Sequence, residues 1–103
     1  SKELIRSRVG YLVDWRDSAT PKLLYQLFDT EVKIRVATRP LTANIKRQGV
    51  RSGGYGTLFV SPKLTEDFPE DALKILDSAA QVGIGVYSVE SSTTPVGIDL
   101  GSL

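Results

Sequence analysis

The stretch VGYLV (Val9–Val13) is apolar almost throughout, and what covers it decides the fold. A strand with one wet face alternates apolar and polar residues; a strand without alternation is covered on both faces. GTLFVS (Gly56–Ser61) and IGVYSV (Ile84–Val89) read the same way. Between them lie two helical patterns. Pro21 sits at a first helical position after Thr20 as cap, and Leu23, Leu24, Leu27 and Phe28 follow as one stripe closed by Asp29–Glu31. The second helix is predicted to be capped by Asp67 with Glu70 three residues on. Its apolar positions are Ala72, Leu73, Ile75, Leu76, Ala79 and Ala80, and Gly83 ends it.

Val32–Thr38 alternates, with Val32, Ile34 and Val36 on one face and Lys33, Arg35 and Ala37 on the other. Two cations on one face suggest a sheet edge, which could serve oligomerisation. Arg39–Gly54 has weak periodicity and reads as an irregular connection with one helical turn at Asn44–Gln48. The resulting expectation is a single α/β domain over 1–103. It has a small, mostly parallel sheet of about four strands, order 2-1-3-4, with helices on both faces in a flavodoxin-like arrangement. The Ser/Thr-rich tail from Glu90 adds at most a short fifth element.

At 103 residues the chain can bury a core of its own. A net charge of +1 points to neither nucleic acid nor a membrane surface as partner, and the cations Lys46, Arg47 and Arg51 read as a solvated loop. There is no long apolar run. Cysteine and histidine are both absent, which removes thiol nucleophiles, His-based triads and the usual zinc ligands. The acidic residues show no calcium-loop spacing. The start, Ser1-Lys2-Glu3-Leu4, reads as a piece of a longer protein.

In a parallel sheet, chemistry gathers beyond the carboxyl ends of the strands. That crevice would collect Asp14, Trp15, Arg16 and Asp17 after the first strand, Ser61 after the third, and Glu90 and Ser91 after the fourth. Phosphoacceptor chemistry would use Asp14, Asp17 and Lys63, but Ser61 and Pro62 stand where the acceptor carboxylate belongs. A serine hydrolase needs glycines around its serine and a base, and Ser61 has neither. The turn Ser18–Lys22 has no glycine to admit a phosphate, and SGGYG (Ser52–Gly56) leads into a strand instead of a helix. The Asp14–Asp17 corner therefore reads as architecture, with Trp15 either packed over the helix entry or serving as an interface anchor.

Three stretches carry a resemblance: VGYLVDWRDSATPKLLYQLFDTEVKIRVATRPLT (Val9–Thr42), GYGTLFVSP (Gly54–Pro62) and GIDLGSL (Gly97–Leu103). The chain from about Val9 to Leu103 resembles a segment downstream of the peptidase domain in bacterial zinc carboxypeptidases of the M14 group. The resemblance implies an amidotransferase-like, flavodoxin-like accessory domain that packs on the peptidase domain of the same chain. It also implies zinc in that parent, none in this domain, and a periplasmic or secreted setting. The family's His-x-x-Glu zinc motif has no counterpart here, so no catalytic residue carries over and the domain alone is expected not to be an enzyme. The competing expectation is a flavodoxin-like module binding a small ligand or nucleotide in the crevice named above.

Overall fold

A computed structural model describes residues 4–15, 18–63, 67–90 and 100–102. The elements are β1 (Tyr11–Val13), α1 (Thr20–Leu27), β2 (Val32–Ala37), β3 (Leu41–Ile45), β4 (Gly49–Gly53), β5 (Leu58–Pro62), α2 (Glu70–Gln81), β6 (Val86–Ser88) and β7 (Leu100–Ser102). The main sheet has five strands in the order β6-β1-β5-β2-β7, while β3 and β4 form a separate hairpin.

Every pairing in the main sheet is antiparallel. This overturns the parallel, flavodoxin-like sheet expected from the sequence. Strands β1 and β2 do run the same way with α1 between them, but β5 inserts between them antiparallel to both, with Leu12 opposite Phe59 and Ile34 opposite Val60. Likewise β5 and β6 run the same way with α2 between them, and β1 separates them. The hairpin apart, β1-α1-β2-β5-α2-β6 is two interleaved split βαβ units, the ferredoxin-like arrangement.

The unbroken apolar strands have a different cause from the one inferred. Both helices lie on one face, where Leu23 and Leu27 of α1 and Ala72, Leu76 and Ala79 of α2 close over Tyr11, Val13, Leu58 and Val60. The other face is covered by the hairpin: Leu41, Ala43 and Ile45 pack on Leu12, Ala37, Phe59 and Val89. The order is therefore helices, sheet, hairpin.

The hairpin replaces the irregular connection and the helical turn expected at Asn44–Gln48. Leu41, Ala43 and Ile45 alternate inward with period 2, and the turn closes with Arg47 at φ 64° and Gln48 N–H donating to Ile45 O at 3.1 Å. The alternation of β2 is as read: Ile34 faces the helices and Ala37 the hairpin. However, β2 is not the outer strand along its whole length, because β7 pairs with Arg35, Val36 and Ala37. This is the short fifth element of the tail.

Helix boundaries differ from the predicted caps. Thr20 lies inside α1, fully buried, and its hydroxyl donates to Asp14 O at 3.1 Å instead of capping. Helix α2 starts at Glu70 with Pro69 at its cap position, so Asp67 is too early for the expected capping box. Its C-terminus is as read. Gly83 (φ 92°) donates to Ala80 O at 3.2 Å and Ile84 to Ala79 O at 3.0 Å, a Schellman closure that returns Ile84 to the core.

Candidate functional site

Reversing β5 and β6 relative to a parallel sheet splits the expected crevice. Asp14 and Trp15 follow the carboxyl end of β1. Ser61 lies past Tyr11 at the opposite end of the sheet, since Tyr11 pairs with Val60 and Val13 with Leu58. Glu90 is at that far end too, because Tyr11 pairs with Ser88, and its N–H donates to Asn44 O at 2.8 Å in the hairpin. The structure brings Asp14 and Trp15 together and separates them from Ser61 and Glu90. Arg16, Asp17 and Ser91 lie outside the described residues.

At the Asp14 corner the backbone is fixed first. Asp14 N–H donates to Gly85 O at 2.9 Å, and its carbonyl accepts from Thr20. The side chain then points to the hairpin face, the face of Leu12. Its Oδ2 accepts from Tyr87 Oη at 3.3 Å and from Arg51 Nη2 at 3.4 Å. The Arg51 guanidinium also lies over the Tyr87 ring, 3.7 Å from its centroid. Gly85 makes the approach possible, because a Cβ there would stand 2.5 Å from Asp14 Oδ2 and 2.8 Å from Tyr87 Oη.

Arg51 and Tyr87 were not among the residues expected at this site. Arg51 had been grouped with Lys46 and Arg47 in a solvated loop. It sits on β4 opposite Ala43, hence on the inward face of the hairpin. The signal available in the sequence was the Leu41-Ala43-Ile45 alternation, which fixes which hairpin positions face inward. Chemically the cluster is a carboxylate held by a phenol and a stacked guanidinium, a joint between sheet and hairpin. The Arg51 and Asp14 side chains keep 38% and 36% of their exposure, so the pair is solvent-screened and of modest strength.

Beside this joint the surface turns aromatic. Trp15 is 43% exposed and Tyr55, in the turn between β4 and β5, is 79% exposed. Gly56 backs onto Trp15, a Cβ there falling 3.7 Å from Trp15 Cβ, so the two aromatics belong to one end of the molecule. Among the described residues, no group of three or more carboxylates converges as a metal site, and no helix is long and apolar enough to cross a membrane.

Elsewhere the charged groups pair at the surface. Lys63 Nζ meets Glu31 Oε2 at 2.5 Å, and Arg6 grips Glu70 through two N–H donors at 3.0 and 3.2 Å. Hydrogen bonding and proximity to these cations hold the Glu31 and Glu70 carboxyls below the usual value. Comparison with family models, curated proteins and solved structures returns no match.

Proposed function

We propose that this chain is a non-catalytic interaction domain that docks on a neighbouring domain through its Trp15–Tyr55 end. One observation carries the reading: Trp15, a residue type that anchors interfaces, stands exposed beside a polar cluster already engaged in holding the hairpin. A carboxylate tied to a phenol and a guanidinium is poorly placed to serve as a free acid or base.

The resemblance to zinc carboxypeptidase extensions supports the accessory role and names a peptidase domain of the same chain as partner. It supports nothing through the fold, because the flavodoxin-like sheet it implied is not the sheet found. Zinc belongs to that parent domain in this reading, and so does the exported setting. The small-ligand crevice after strands 1, 3 and 4 is not retained, since its residues fall at opposite ends of the sheet.

The test is association with a peptidase domain of this group. Binding is expected to shield Trp15 from acrylamide quenching, and Trp15→Ala with Tyr55→Ala is expected to abolish it. Unchanged quenching in the mixture, or zinc-dependent release of C-terminal residues by the isolated domain, contradicts the proposal.

A further inference from the structure

The end of the sheet opposite Asp14 holds a cleft of about 370 Å³ between the N-terminal segment, the hairpin turn and the entry to α2. Its walls are set by a buried serine. Ser7 Oγ donates to Val89 O at 2.6 Å and accepts from the N–H groups of Val9 and Gly10 at 3.2 and 3.1 Å. This fixes the segment that carries Arg6 and Arg8.

The charge on the cleft is unbalanced. Glu70 is engaged by Arg6. Arg8 and Lys46 line the cleft and make no ion pair among the described residues, and Asp67 is the carboxylate that faces them. Two cations against one carboxylate leave a surplus of one positive charge.

Tyr11 supplies an independent observation. Its side chain is fully buried at the cleft floor, edge-on to Phe68 with ring centroids 5.0 Å apart. Its hydroxyl accepts Ser7 N–H at 2.8 Å, and its own proton has no acceptor among the described residues. Burial raises the pKa of this phenol, so at neutral pH it remains an O–H donor. Buried donors are nearly always satisfied, and the acceptor for this one has to come from the cleft.

We infer that this cleft binds the oxyanion group of a small ligand, with Tyr11 Oη donating to one oxygen and Arg8 and Lys46 supplying the opposing charge. The inference is independent of the docking role, which uses the other end of the molecule. Phosphate esters and carboxylates share this chemistry, so inorganic phosphate and acetate are the probes. Each is titrated at constant ionic strength against chloride, following backbone amide resonances.

The expected result is saturable shifts confined to Ser7, Arg8, Tyr11 and Lys46, and the tighter probe names the group. Arg8→Gln with Lys46→Gln should weaken binding about tenfold or more, since charge-assisted contacts are the strong ones. Both side chains stand clear of the two cores, so the fold should survive. Tyr11→Phe should weaken binding as well; if that variant does not fold, the double variant decides. Shifts that follow chloride without saturating, which would mean that water completes Tyr11, overturn the inference. Unchanged affinity in the double variant overturns it equally.

Discussion

The two faces of the main sheet are closed by different means. On one, two helices bring Leu23, Leu27, Ala72, Leu76 and Ala79 onto the strands, and the core is apolar throughout. On the other, a single hairpin contributes Leu41, Ala43 and Ile45 from β3 only. The inward positions of β4 are Gly49, Arg51 and Gly53. The helix face is held by buried area, roughly 25 cal/mol per Å². The hairpin face needs a polar joint, Asp14–Tyr87–Arg51, where β4 offers no apolar side chain. A fold can thus cover both faces of one sheet with unequal stability, and the weaker cover can open locally.

The largest expected break is on the helix face. Leu76→Ala or Leu58→Ala, each fully buried, should cost about 2–5 kcal/mol and lower the denaturant midpoint of the whole domain. Next comes Gly85→Ala. Its Cβ would collide with Asp14 Oδ2 and Tyr87 Oη, and overpacking of this kind costs about 1–3 kcal/mol. Hydrogen exchange should then speed up in β3 and β4 before it does in α2. Arg51→Gln removes the stacked cation and the ion pair and should cost about 1 kcal/mol. The same exchange experiment should localise that loss to the hairpin; uniform acceleration across both faces would erase the contrast drawn here.

The smallest effect is electrostatic. Glu31 and Glu70 are held below the usual carboxyl value by Lys63 and Arg6, so their contribution is present above the unfolded value. It is lost as the pH falls through the depressed folded value, below about pH 4.5. Glu31→Gln with Glu70→Gln should flatten the acid limb of a stability–pH curve slightly, and salt should diminish the difference, because both pairs are exposed.

How much of this was legible follows from which signals are local. Helix α2 and its Gly83 stop, the stripe of α1 and the alternation of β2 are local patterns, and they were readable within a few residues. Strand direction is not local. VGYLV and GTLFVS show that both faces are covered, and they are silent about what covers them or which way the neighbour runs. The inference to helices on both faces failed there. The hairpin was missed because β4 reads Gly-Val-Arg-Ser-Gly, with no apolar residue at its inward positions. Asp14 could be recognised as a corner. Its partners Arg51 and Tyr87 reach it only once the hairpin has folded across the sheet, and no spacing in the sequence encodes that meeting.

The central claim is the antiparallel sheet that sends Asp14 and Ser61 to opposite ends. An Hα–Hα nuclear Overhauser contact between Leu12 and Phe59 tests it most directly. These residues face each other at a non-hydrogen-bonded position, where antiparallel Cα atoms approach to about 4.5 Å. A strong cross-peak there, with companions between Tyr11 and Ser88 and between Val13 and Val86, is the predicted result. Its absence, with contacts joining β1 and β5 in parallel register, would contradict the account.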